Sequence, residues 1–146
     1  MQRTGSIVIV EDDANDAFFV RHALEAAQMS NPLVQFTSAE HARREITTSA
    51  SVVLFLLDVH LSGNESGIDL LRWLRDQPPP LGETPAIMLT GSDYPEHSAE
   101  STRLGVTAFL RKPVTEVTLI DAVRGLGFQI VTSLVSGRMM VRIERR

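Results

Sequence analysis

The stretch SVVLFLLDVH, Ser51 to His60, runs through six consecutive apolar residues and then meets a carboxylate, Asp58. A short, wholly apolar run of this kind reads as a β-strand buried on both faces, so Asp58 marks the end of a rigid, dry support. Similar runs occupy residues 7–10, 33–37, 86–89 and 107–110, and segments of helical period lie between them. Helix start signals separate the runs. Asp13 and Asp16 can cap a helix reaching Met29, Thr37 and Glu40 form a T-x-x-E box, and Ser66 and Asp69 form another before LLRWLRD. Five strands alternating with helices imply parallel pairing through right-handed crossovers, with helices on both faces. The expected fold is therefore a doubly wound α/β sandwich.

Composition bounds the remainder. A chain of 146 residues, 43% hydrophobic and 22% charged, suits one domain with a sizeable core. No apolar run approaches the roughly 18 residues of a membrane span. MQRTGSIVIVEDD meets acids too early for a secretory signal. The absence of cysteine excludes disulfides and thiolate metal sites and fits a cytoplasmic protein. A net charge of −4 argues against a nucleic-acid partner. From Phe128 onward four Arg stand against one Glu, giving +3 there and −7 over the remaining 127 residues. The plain reading of that tail is a solubilising end.

Open parallel sheets form their sites outside the carboxyl ends of the strands, where strand order reverses. At those ends stand Glu11, Asp12 and Asp13 after the first strand, Asp58 after the third, Thr90 after the fourth, and Lys112 with Pro113 after the fifth. Alone, Asp58 could merely cap the next turn. Together, acids this close would repel in a partly dry cleft unless a cation joined them, and oxygen-only ligands suit Mg²⁺. Carboxylates for a metal, a carboxylate nucleophile, a lysine and a hydroxyl make a phosphoryl-transfer site.

The motifs IVIVEDD, LFLLDVHL, IMLTGS and FLRKP, in this order and each at a strand end, resemble the receiver domain of two-component response regulators from residue 6 to about 126. The resemblance implies the flavodoxin-like (βα)5 fold with strand order 2-1-3-4-5, a receiver over residues 1–127 and an extension over 128–146. It implies Asp58 as the phosphoacceptor for a sensor histidine kinase. Mg²⁺ would be held by Glu11, Asp12, Asp58 and the main-chain carbonyl of His60. Thr90 and Lys112 would contact the phosphoryl group, Thr90 and Phe109 would switch on activation, and the Lys112–Pro113 bond would be cis. EDDANDAFFVRHALEAAQMSNPLVQF is similar, further, to the stand-alone regulators paired with bacterial phytochromes, which suggests a bacteriophytochrome kinase as partner. Two departures stand out: Ser62 occupies a position where the family usually has Pro, and GNESG lengthens the following loop by one residue. Gly91 follows Thr90 where a small side chain such as Ala is common.

Other residues carry less. His22, His41, His60 and His97 are scattered, which disfavours a histidine metal site. Trp73 reads as packing or, less simply, as a partner surface. Gly5, Gly82, Gly105 and Gly137 read as turn or cap residues. The expected function is a phosphorylation-dependent switch that is no enzyme beyond its own phosphorylation and dephosphorylation. The competitors are a receiver-like adaptor that takes no phosphate and an Asp-nucleophile phosphatase. The phosphatase lacks support because His60 stands where its second Asp belongs. The fifth helix is expected to begin after Pro113 and bury Val117, Ile120 and Val123. Beyond Gly125 and Gly127 the tail holds too many apolar residues for solvent. It must extend the helix, cover the sheet as an intramolecular strap, or join a homodimer with the fifth helix, and the dimer is the expectation.

Overall fold

A computed structural model describes residues 5–46, 51–91, 95–106 and 108–145. Five parallel strands, β1 (Ser6–Val10), β2 (Leu33–Phe36), β3 (Val52–Asp58), β4 (Ala86–Thr90) and β5 (Ala108–Arg111), form a sheet of order β2-β1-β3-β4-β5. The last of these strands was expected from Thr107, which lies outside the described residues. Among the described residues five α-helices accompany them: α1 (Ala14–Ala26), α2 (Ala39–Glu45), α3 (Gly67–Arg75), α4 (Pro95–Arg103) and α5 (Glu116–Gly125). All seven residues of β3 and all five of β4 are buried, whereas β2 and β5 at the sheet edges are half exposed. That difference explains why the central strands read as unbroken apolar runs.

The two sheet faces carry separate cores. On one, Ile7, Ile9, Leu54, Leu56, Ile87 and Leu89 pack with Val20 and Leu24 of α1 and Leu119 and Val123 of α5. On the other, Val8, Val10, Phe55, Leu57 and Met88 pack with Ala42 of α2 and Leu70, Leu71 and Leu74 of α3. Val53 and Leu54 both belong to the first core, against strand alternation. The cause is a register shift between Ser6 and Ile7, which pair with Val52 and Leu54 and pass over Val53.

Local chemistry sets the helix limits, and it corrects three expectations. Helix α1 stops at Ala26 rather than Met29, because Gln28 takes φ 60° and Met29 bridges to Val141. Helix α2 is capped by Ser38, whose hydroxyl accepts from the His41 N–H at 3.1 Å, and not by Thr37. Helix α5 is started by Thr115, paired with Thr118 in a capping box. That phase turns Leu119 and Val123 inward and leaves Val117 69% exposed, while Ile120 is only partly buried. The Ser66–Asp69 box ahead of α3 is present, with both reciprocal bonds formed.

The tail does not extend α5. It forms an antiparallel hairpin of β6 (Gln129–Val135) and β7 (Arg138–Glu144), turned at Ser136 and Gly137 with φ of 49° and 77°. Two positive φ angles in a two-residue loop match the twist of a hairpin, and glycine at the second position adopts its angle without strain. The hairpin straps the amino-terminal ends of the sheet strands. Ser30 N–H donates to the Val141 carbonyl and Val141 N–H to the Gln28 carbonyl, at 2.6 and 2.8 Å. Buried Asn31 accepts from Ile143 N–H at 2.8 Å and donates to the carbonyls of Ile143 and Gly5 at 3.0 and 2.8 Å. Arg145 donates to the Val52 and Pro80 carbonyls and to the Thr84 hydroxyl. Phe128 and Ile143 enter the first core, whereas Ile130, Leu134, Val135 and Met139 stay exposed, Leu134 at 71%.

Asn31→Ala removes three bonds to backbone groups beside the first core and should cost about 1–3 kcal/mol in urea unfolding. Val117→Ala, on the outer face of α5, should stay within about 0.5 kcal/mol of the parent. A strap that contributed no stability would make the two variants equal.

Candidate functional site

The strand order reverses between β1 and β3, and the register sets Val10 beside Leu57, which brings the residues following them together at the carboxyl edge. Glu11 and Asp58 are buried there, on adjoining strands. Asp58 is held by its own turn: Oδ1 accepts from the His60 N–H at 3.0 Å. The capping contact that could have been the whole purpose of Asp58 thus occupies one oxygen only. The other, Oδ2, lies 2.9 Å from Lys112 Nζ. The turn is close because Gly67 N–H donates to the Val59 carbonyl, and a Cβ at Gly67 would fall 2.0 Å from the Asp58 carbonyl oxygen. Gly67 is therefore a requirement of the site that the sequence showed only as the end of a loop.

Lys112 is the single lysine of the chain. It follows β5 and precedes Pro113 through a cis peptide bond, as expected; Pro79–Pro80 is also cis. Its ammonium meets three carboxylates: both oxygens of Glu11 at 3.1 Å, Asp58 Oδ2 at 2.9 Å and Asp16 Oδ2 at 2.9 Å. An ammonium has three donors, and here they face three acids. Asp16 appears in the sequence as a helix-start residue, and its part in the site was missed. Asp13 caps α1 by accepting from the Asp16 N–H at 2.9 Å, and Asp16 thereby lands one turn above the β1 acids, facing Lys112.

Burial raises the Glu11 carboxyl to about 9, and its hydrogen bond with Asp58 and the Asp58 charge push the same way, against the pull of Lys112. Burial alone would lower the Lys112 ammonium, but its hydrogen bonds to Asp58, Asp16 and Glu11 raise it instead, so it stays charged. Asp12 is exposed, and its Oδ2 accepts from the Ser62 N–H at 3.1 Å. A proline at 62 has no N–H to give, so the departure at this position supplies a contact of its own.

Glu11, Asp12 and Asp58 each offer an oxygen within 4.8 Å of the others. Three hard oxygen donors of net negative charge fit a divalent cation such as Mg²⁺ or Mn²⁺. Thr90 ends β4, buried, and its carbonyl accepts from the Lys112 N–H at 2.8 Å. Phe109 sits on β5 opposite Met88 and is 37% exposed, turned away from the core. A Cβ at Gly91 would meet no atom within 4 Å, which leaves open space beside Thr90. The sequence candidates Glu11, Asp12, Asp58 and Lys112 thus meet at one edge, with Thr90 at the end of the adjoining strand, and Phe109 lies outside it. Among the described residues no histidine belongs to the acidic cluster.

Residues 7–124 match the family model described as the response regulator receiver domain. Comparison with curated proteins gave no significant match. Among solved structures, the chain is similar to the bacteriophytochrome response regulator RtBRR, at 26% identity and TM-score 0.77 over 92% of this chain and 86% of that one. It is similar also to the bacteriophytochrome response regulator AtBRR, at 28% identity and TM-score 0.73 over 86% and 94%. The Mn²⁺-bound form of response regulator Rcp1 aligns at 25% identity and TM-score 0.66 over 84% and 91%.

The Glu11 carboxyl predicts a pH dependence whose sign is fixed. The unfolded chain releases this proton near 4.5 and the folded chain near 9. Between those values the folded state binds more protons, so its contribution to stability is present below about 4.5 and is lost as pH rises towards 9. In EDTA, the urea midpoint of the parent should fall with pH across this window more steeply than that of Glu11→Gln. Equal slopes would contradict the arrangement.

Proposed function

The chain belongs to the response regulator receiver domain family, and from that premise we propose that it is a phosphorylation-dependent switch of two-component signalling, with Asp58 as phosphoacceptor. The observation that carries the reading is Asp58 itself: one oxygen fixed by the His60 N–H, the other 2.9 Å from Lys112, within the cluster of Glu11 and Asp12. A carboxylate so placed is oriented as a nucleophile and faces a fixed positive charge.

In the proposed step an Asp58 oxygen forms a bond to phosphorus as the P–N bond of a kinase phosphohistidine breaks. The imidazole leaves with the electron pair and takes up a proton. Lys112 faces the charge that accumulates on the phosphoryl oxygens, and the Thr90 hydroxyl donates to one of them. Phe109, exposed in the present state, moves inward as Thr90 turns, changing the outer surface of β5. Mg²⁺ would be held by the carboxylates of Glu11, Asp12 and Asp58 and the main-chain carbonyl of His60, and would supply charge neutralisation for the transferred group. The Mn²⁺ form of Rcp1 supports a divalent cation here.

Likeness to two bacteriophytochrome response regulators supports a phytochrome-type histidine kinase as phosphodonor. His60 two positions after Asp58 leaves a phosphatase without its acid. The filled positions Glu11, Asp12, Asp58, Thr90 and Lys112 speak against an adaptor that takes no phosphate. No described helix is long and apolar enough to cross a membrane, which agrees with a cytoplasmic setting. The hairpin supports a homodimer: Ile130, Leu134, Val135 and Met139 are exposed, and β6 has no strand on its outer edge among the described residues.

Asp58→Asn, nearly isosteric, should abolish labelling by acetyl phosphate with Mg²⁺ while the circular dichroism spectrum is kept; labelling that survives would remove Asp58 from the reaction. Excess EDTA should stop labelling of the parent. In light scattering at tens of micromolar the full chain should be a dimer and Leu134→Glu a folded monomer. A monomeric parent would rule the dimer out.

A further inference from the structure

Lys112 and the candidate cation share two of their partners. The ammonium contacts Glu11, Asp16 and Asp58, and the cluster that fits a cation comprises Glu11, Asp12 and Asp58. If Glu11 and Asp58 turned towards a bound cation, and Asp58 then carried a phosphoryl group, their hold on Lys112 would weaken. Asp16 is the Lys112 partner outside the cation cluster. Its backbone is fixed by the Asp13 cap, and its side chain, 30% exposed, approaches Lys112 from the rim of the site. A lysine on four methylenes loses its aim readily when its anchors leave, because its rotamers are many.

Resting on the reading of Asp58 as phosphoacceptor, we propose that Asp16 is a positioning residue that keeps the Lys112 ammonium directed at the reacting edge while Glu11 and Asp58 are engaged elsewhere. The competing effect has the opposite sign. Asp16 is also a negative charge at the mouth, so by long-range electrostatics alone its removal would speed the approach of an anionic donor such as acetyl phosphate. Positioning and repulsion can therefore be told apart by the direction of one rate.

The test compares the parent with Asp16→Asn at saturating Mg²⁺, following phosphorylation by acetyl phosphate. Transfer should slow about tenfold, the scale expected when a charged group is misplaced by a fraction of an ångström. Mg²⁺ affinity, measured by calorimetry, should change less than about threefold, because Lys112 stands between Asp16 and the cluster. Asp16→Glu, which keeps the carboxylate, should regain most of the rate. A second readout needs no transfer. With ¹⁵N-lysine labelling the single lysine of the chain gives a single side-chain ammonium signal. With Mg²⁺ present it should persist in the parent and broaden away in Asp16→Asn. A rate equal to or above the parent's, a loss of rate matched by an equal loss of Mg²⁺ affinity, or an ammonium signal unchanged in Asp16→Asn would each overturn the proposal. A parent that takes up no phosphoryl group would instead overturn the reading of Asp58, while the ammonium signal would still report whether Asp16 holds Lys112.

Discussion

One ammonium among three carboxylates is the interaction on which the site depends. Glu11, Asp16 and Asp58 all face Lys112, and Asp12 stands beside them. Two like charges about 4 Å apart repel by roughly 4 kcal/mol at an effective dielectric constant of 20, so a single lysine leaves the group with unbalanced negative charge. The imbalance is relieved in the metal-free protein by a proton retained on buried Glu11. A divalent cation held by Glu11, Asp12 and Asp58 would relieve it in the same place, and would displace that proton. The site is built to want positive charge, and the proposed metal-assisted transfer of an anionic group would use that demand.

The fold keeps this unstable collection in place. Glu11 and Asp58 follow strands whose apolar residues are buried on both faces, so the carboxylates cannot retreat to water without disturbing two cores. Lys112 is tied by its own N–H to the Thr90 carbonyl, which locks the ends of β4 and β5 together. The β6–β7 strap and the Arg145 that follows it lie at the opposite end of the sheet, on Asn31 and Val52. One end of the molecule can therefore be stabilised by the tail and the other left charged. The exposed apolar residues of the hairpin, Ile130, Leu134, Val135 and Met139, therefore lie away from the acidic edge.

Much of this arrangement was legible in the sequence, for a physical reason. Strands buried on both faces have no polar position to spare, so 52–57 and 86–89 are unmistakable and the first polar residue after each falls at the active edge. Ser66 and Asp69 were legible because a capping box has fixed spacing. Thr37 misled because Ser38, equally able to cap, follows it. Val117 misled because apolar spacing does not fix the phase of a helix until its cap is known, and Thr115 sets it. Asp16 and Ser62 escaped because their contacts, with Lys112 and Asp12, join residues 96 and 50 positions apart. The tail left three outcomes open; Ser136-Gly137, between two short apolar-rich runs, was the turn signal that could have selected the hairpin.

The proposed role of Asp58 is tested most directly by where a covalent phosphoryl group resides. An acyl phosphate on a carboxylate is reduced by borohydride to an alcohol, which converts aspartate to homoserine, whereas phosphoserine, phosphothreonine and phosphohistidine give no such product. After treatment with acetyl phosphate and Mg²⁺, borohydride reduction and peptide mass spectrometry should find homoserine at position 58 alone. Homoserine at Asp12, Asp13 or Asp16, or phosphoryl groups only on hydroxyl or imidazole side chains, would contradict it.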